Sequence, residues 1–245
     1  MRNDERPVIA GFAVKWREFR APPRARKRGA GDRGAEGEAA FGLWVPESDL
    51  DALVAEITQE EFERSDERLP YFGTIWPAAE ALAAEVLAGP RLDEKRALDL
   101  GCGLGLCGFA AACQGARVTF FDWEPRALAI VAASARRPGQ PAASFAFVVG
   151  DWRQPPPLGP FDLILGADLL YERRNGPAVA AFLARHLAPG GEAWIADPGR
   201  PHAASFPSLA QAEGLELVHS EVLPPCAGDR AITLWRFRRG GDAPQ

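Results

Sequence analysis

The chain has 245 residues, 47% hydrophobic and 25% charged, with a formal net charge of −5, enough to bury the core of one α/β domain. No apolar run approaches the roughly 20 residues that cross a bilayer, and the opening MRNDERPVIAG lacks the charged-then-apolar order of a secretory signal. Charge is uneven: residues 1–33 hold ten Lys/Arg and four Asp/Glu, so that +6 at the start leaves −11 for the remainder, a balance that argues against a uniformly basic nucleic-acid binder.

Residues 12–20 (FAVKWREFR) and 41–45 (FGLWV) alternate apolar and polar and predict a β-hairpin. The tract between them, RAPPRARKRGAGDRG (20–34), is too polar to fold alone and is read as a mobile basic loop over 20–40. It lacks the interleaved aromatics that stack bases, so nucleic acid is not the expected partner. PESDLDALVAEITQEEFERSDERL (46–69) has helix spacing at Leu50, Leu53, Val54 and Ile57. Residues 1–68 thus form a hairpin-and-helix accessory, 69–240 the main domain, and 241–245 a tail.

An aromatic, glycine-containing loop (LPYFGTIW) leads into Trp76-Pro77, with Pro77 suited to a first helical turn. Ala81, Leu82, Val86 and Leu87 supply the apolar face of the helix that follows. Trp76 suits either a core position or a lid over a ligand.

The organising stretch is RALDLGCGLGLCGFAAACQGARVTFFD (96–122). A short apolar strand carries Asp99, breaks into Gly101, Gly103 and Gly105, enters a helix, and returns as a strand ending on Asp122. Glycines let the backbone turn sharply and approach a ligand where a Cβ would collide, and the helix points its N-terminal amides at the same place. Gly103, Gly105 and Gly108 formally satisfy the dinucleotide pattern G-x-G-x-x-G. Asp99, two residues ahead of the glycines, would repel a pyrophosphate and favour a cationic ligand instead. Cys102, Cys107 and Cys113 cluster here, with Cys226 distant and no C-x-x-C pair. They are expected to be reduced and cytoplasmic, with neither disulfide nor metal.

Beyond Asp122, WEPRALAIVAASARR predicts a helix opened by Pro125, and SFAFVV (144–149) a strand ending in Gly150-Asp151-Trp152. An acid–aromatic pair at a strand's end suits adenine, the carboxylate accepting from the exocyclic amine and the indole packing on the ring. FDLILGADLLY (161–171) is a buried strand that empties into Ala167, Asp168 and Tyr171. A helix over 175–187, closed by Pro189-Gly190-Gly191, precedes a strand at Ala193–Ala196 and the turn DPGRP (197–201). A broken helix (ASFPSLAQAEG) and two antiparallel strands, 215–223 and 231–239, finish the chain. The alternation predicts a doubly wound, mainly parallel seven-stranded α/β sheet. Asp99, Asp122, Asp151, Asp168 and Asp197 all fall at the strand ends that form its ligand crevice. Of three scattered histidines, only His202 follows a crevice loop.

With these residues assembled, the chain resembles the class I methyltransferases that use S-adenosylmethionine (SAM), in the branch called family 16 protein methyltransferases. The resemblance rests on Trp76-Pro77-Ala78, on Asp99 to Gly105, and on Asp168 to Tyr171 as D-x-x-Y. Leu69-Pro70-Tyr71-Phe72 and Asp197-Pro198-Gly199-Arg200-Pro201 are most similar to the lysine methyltransferases of the electron-transfer-flavoprotein β-subunit and their bacterial relatives. The chain departs from that branch at Phe72-Gly73-Thr74, where Trp-Ala is usual, and at Ala78-Ala79-Glu80, in place of Gly-Gly-Gln.

The resemblance implies SAM as cofactor, S-adenosylhomocysteine (SAH) as product and a protein lysine as acceptor; the oligomeric state is left open, with a monomer favoured. Asp99, Gly101, Gly103 and Gly105 would form the cofactor turn, Asp122 would bind the ribose hydroxyls with Trp123 beside the adenine, and Asp151 would take the adenine amine with Trp152 stacked nearby. Trp76 would close over the methionine end and Ala167 border the methyl. Asp168 and Tyr171 would act on the acceptor, with Asp197 and Arg200 toward the substrate. The alternatives are a small amine or nicotinamide-like acceptor and a non-catalytic SAM-binding module; a dehydrogenase fits poorly, because nothing after residue 170 resembles a nicotinamide-positioning domain.

Overall fold

The computed structural model describes residues 7–20, 40–48, 71–224 and 230–240. The expected helix within 46–69, the basic loop of 20–40, Cys226 and the 241–245 tail lie outside the described residues, entirely or nearly so.

Two sheets carry the chain. The smaller contains β1 (Val8–Ile9), β2 (Phe12–Arg20) and β3 (Ala40–Pro46) in that order. β2 and β3 pair antiparallel with Trp16 opposite Trp44 and Phe19 opposite Phe41. The short β1, not foreseen, reaches β2 through Ala10 and Gly11, both at positive φ. Arg137 stacks over both indoles, 4.1 Å from Trp16 and 4.7 Å from Trp44. The Trp44 N–H donates to Ser134 Oγ at 2.9 Å, and Phe41 stacks on Phe109 in the main core. The small sheet is therefore fastened to the large one by its buried face and by the helix that bears Ser134.

The main body continues through α1 (Pro77–Ala88), β4 (Arg96–Leu100), α2 (Leu106–Cys113), β5 (Arg117–Asp122), α3 (Pro125–Ala135), β6 (Phe145–Val149) and β7 (Phe161–Ala167). It ends with α4 (Asn175–His186), β8 (Leu187–Asp197), α5 (Phe206–Ala212), β9 (Leu215–Leu223) and β10 (Ile232–Arg239). Strand order is β6-β5-β4-β7-β8-β10-β9, parallel except for β10, which runs antiparallel to both neighbours. The expected doubly wound, seven-stranded sheet is thus the observed one.

β4 shows why the layers form. Leu98 and Leu100 point into a core with Ile164, Phe182 and Phe206 beneath α4 and α5. On the opposite face Ala97 packs toward α1, α2 and α3 with Phe109 and Phe120. A central parallel strand is buried on both faces and needs apolar residues at nearly every position; Asp99 breaks that pattern. Burying about 25 cal/mol per Å² of such apolar surface holds the layers together.

β8 begins earlier than its sequence signals. Pro189-Gly190-Gly191 was expected to end the preceding helix as a turn, yet these residues stay within the strand. The pairing with β7 shifts register between Phe161 and Leu163, and Gly190 takes a φ of 75°. A Cβ at Gly191 would lie 2.9 Å from the Phe161 carbonyl and 3.0 Å from the Ala188 carbonyl, so the glycines serve a turn-like excursion within the strand between Leu187 and Glu192. Among the described residues no helix is long and apolar enough to cross a membrane.

Candidate functional site

The strand order reverses at β4, with β5 on one side and β7 on the other, and a cleft opens at their C-terminal ends, where such sheets bind ligands. Its volume is about 750 Å³, including the open mouth. Gly101 and Gly103 line it, as do Asp99, Asp122, Trp123, Trp152, Ala167, Asp168, Tyr171 and Trp76. Residues from five separate stretches of sequence therefore meet in one cleft.

The glycine turn is shaped by its backbone. Gly101, Gly103 and Gly105 have φ of 61°, 51° and 83°, where a side chain is strained. A Cβ at Gly101 would meet Leu169 at 2.7 Å and Trp152 at 3.0 Å. Gly105 plays a different part from its neighbours. It is the N-cap of α2, and a Cβ there would press on Phe120 and Val131 at 3.0 and 3.1 Å, behind the cleft. A Cβ at Gly108 would come closer still, 2.3 Å from the Phe120 ring.

Two carboxylates floor the turn. Asp99 accepts from the Gly108 N–H at 2.8 Å, and burial pushes its carboxyl up to about 8. Asp122 accepts from Gly103 N–H at 2.9 Å and from Glu124 N–H at 3.0 Å, and burial pushes it up to about 6 against those amides. Glu124 in turn caps α3 and holds Arg126 in a fork at 2.8 and 2.9 Å. Burial also raises the thiols of Cys102 and Cys107, which line the cleft as small packing groups.

Asp151 does not line this cleft. It borders an adjoining recess with Trp123, Trp152 and Tyr171, and Arg153 forks onto its carboxylate at 2.7 and 2.9 Å. Asp197 does not face the cleft either. It is fully buried at the end of β8, where Oδ1 accepts from the Gly199 and Arg200 N–H groups, each at 2.8 Å. Burial raises its carboxyl. Its work is to fold the turn that aims Arg200 at Asp168. His202 is exposed outside this turn, and among the described residues no histidine lines the cleft.

Tyr71 is a wall that sequence spacing did not single out for the site. Its ring meets Tyr171 edge-on at 5.5 Å and Trp76 at 6.0 Å, and its carbonyl accepts from Trp76 Nε1 at 3.0 Å. Burial raises the Tyr171 phenol well above its ordinary value. Asn175 Nδ2 donates to the Leu169 carbonyl at 2.8 Å, tying the loop after β7 to α4.

Strand order and cleft are those of a Rossmann-like fold, and residues 97–191 match the family model described as a methyltransferase domain. The match covers under half of the chain. The chain is 36% identical over 129 residues to the protein N-lysine methyltransferase METTL21A of Danio rerio, covering 50% of this chain and 58% of that one. It is 30% identical over 149 residues to the electron transfer flavoprotein beta subunit lysine methyltransferase of Xenopus laevis, covering 60% and 59%. The chain thus spans under two thirds of either relative's length. The N-methyltransferase NodS from Bradyrhizobium japonicum WM9, solved in complex with SAH, aligns with a TM-score of 0.53 at 20% identity, covering 78% of this chain and 96% of that one. That likeness is one of fold.

The residues present suit the donor of this fold class. The glycine turn leaves room for close approach, and two buried carboxylates beside it would oppose a phosphate but welcome a sulfonium and an ammonium.

Proposed function

We propose that this protein transfers a methyl group from SAM to the side-chain amine of a lysine in a protein substrate. The observation that carries the proposal is the pair Asp99 and Asp122, both buried against the glycine turn with their carboxyls pushed up by burial. A cationic ligand recovers the free energy that such burial costs. The names of the two lysine methyltransferases above support the choice of acceptor, and three reduced thiols, Cys102, Cys107 and Cys113, fit a cytoplasmic setting.

In this proposal Gly101 and Gly103 admit the cofactor's methionine end beneath Trp76. Asp122 takes the ribose hydroxyls beside Trp123, and Asp151 with Trp152 takes the adenine in the adjoining recess. Ala167 borders the methyl without crowding it. When bound, SAM supplies an electrophilic methyl carbon on a positively charged sulfur. The protein's share is alignment and exclusion of water, for which Tyr71, Trp76 and Tyr171 form an aromatic wall. Asp168 orients the acceptor amine by accepting one of its hydrogens.

A lysine must first lose its proton. From an ordinary pKa of about 10.4 this costs about 4.6 kcal/mol at about pH 7, and a bare carboxylate would raise the cost by favouring the ammonium. In this structure Asp168 is not bare, since Arg200 is paired with it.

Calorimetry with SAH and with NAD, together with radiolabelled SAM added to protein extract or to small amines, tests the proposal. Heat with SAH, none with NAD, and label retained on macromolecules are expected. Heat with NAD and none with SAH overturns the cofactor; label confined to small molecules overturns the acceptor.

A further inference from the structure

At the acceptor wall, both oxygens of Asp168 are engaged. Arg200 Nε donates to Oδ1 and Nη2 to Oδ2, each at 2.7 Å, the two-point fork that binds carboxylates most strongly. The same guanidinium lies 5.7 Å from the centre of the Trp76 ring. Neither end of the pair is free to drift. Asp168 is held at a φ of 55°, its N–H donating to the Ala196 carbonyl at 2.8 Å, and Arg200 is set by the turn that Asp197 folds. The other titratable groups around Arg200 are Asp197 below the turn and Tyr71. Across the aromatic wall lie Tyr171, Glu172 and Asp122.

An unpaired carboxylate on this wall, beside aromatic rings, would be a trap for ammonium ions, and an ammonium has no lone pair with which to accept a methyl group. The fork removes the net charge from Asp168, and the guanidinium occupies the Trp76 face that an ammonium would seek. What remains for an incoming ligand is the outer lone pairs of a neutralised carboxylate, which accept an N–H from an uncharged amine. We propose that Arg200 is a positioning residue that makes the acceptor site selective for the neutral amine. The proton is left in solvent as the amine enters, one N–H bonds Asp168, and the nitrogen lone pair stays free. This proposal rests on the amine-methylating function above and names the protonation state that its site admits.

The test is binding of n-butylamine, a probe with the reach of a lysine side chain, to SAH-saturated protein, followed by ligand-observed NMR between about pH 6.5 and about pH 9.5. For the natural protein, apparent affinity should rise about tenfold per pH unit, tracking the neutral fraction of the amine. Arg200→Gln should flatten that slope and bind the probe more tightly at the acid end, while Arg200→Lys, which keeps the charge, should retain the slope. All three should bind SAH within about twofold of one another. A flat profile for the natural protein, an unchanged slope in Arg200→Gln, or no probe binding to the natural protein overturns the proposal. So does loss of SAH binding in Arg200→Gln, which would make Arg200 a general brace. Failure of the natural protein itself to bind SAH would instead overturn the cofactor assignment.

Discussion

The two ends of the cleft handle buried negative charge in opposite ways. At the glycine turn, Asp99 and Asp122 accept only backbone N–H bonds among their described hydrogen bonds, and burial lifts both carboxyls. At the acceptor wall, Asp168 is nearly as buried, yet a guanidinium is forked onto it. One end keeps its charge in reserve for a cation arriving with the ligand; the other has its cation built in. A buried carboxylate costs several kcal/mol unless it is paired or protonated, so the source of the partner decides what each end can bind.

The sharpest way to break this contrast is to remove one carboxylate from each end. Asp122→Ala should weaken SAH binding by about 100-fold, the equivalent of one or two lost charge-assisted hydrogen bonds, whereas Asp168→Asn should leave SAH affinity within about twofold while abolishing methyl transfer. Calorimetry and label incorporation read the two effects separately.

A smaller effect comes from pH. Asp122 near 6 and Asp99 near 8 are protonated at low pH in the free protein, and a cationic donor favours their ionised forms. Ionised Asp122 serves the ribose of SAM and SAH alike, whereas ionised Asp99 favours the sulfonium, so the ratio of their dissociation constants should change by about tenfold in favour of SAM between about pH 7 and about pH 9. Calorimetry in buffers of different ionisation enthalpy should show proton release with SAM.

The same groups set a stability trend. Their folded-state values lie above the ordinary 3.8, so the folded chain holds protons that the unfolded chain has lost. That contribution is complete below about pH 4 and disappears as pH rises through about 6 to 8. The thermal midpoint of the ligand-free protein should fall over that range, and Asp99→Asn should flatten the fall. The smallest effect belongs to an exposed pair far from the cleft: Arg117→Gln, which loses its contact with Glu94, should move the midpoint by no more than about 1 °C.

Much of the architecture was legible in local pattern. The alternating run of β2, the buried run of β4 and Pro77 at the first turn of α1 each announce an element through side-chain period or backbone restriction. Asp99, the glycines and Asp122 were legible too, because they lie within one β-α-β unit whose spacing fixes their proximity. The fork between Arg200 and Asp168 joins residues 32 positions apart. Their nearness depends on β7 and β8 being neighbours, and the pairing of their side chains leaves no periodic trace. Arg200 was expected to face the substrate, and its guanidinium is forked onto Asp168. Tyr71 was missed for the site because an aromatic in a glycine-containing loop looks the same whether it packs inward or walls a cleft. Pro189, Gly190 and Gly191 signalled a change of direction that the chain does make, but inside β8 rather than before it.

The left-handed backbone at Asp168 bears on how its chemistry can be probed. Asparagine and aspartate tolerate that conformation better than other side-chain-bearing residues, whereas alanine would distort the loop while deleting the carboxylate. An inactive Asp168→Ala protein would then confuse a bent main chain with a missing functional group. Only the isosteric amide asks the chemical question cleanly.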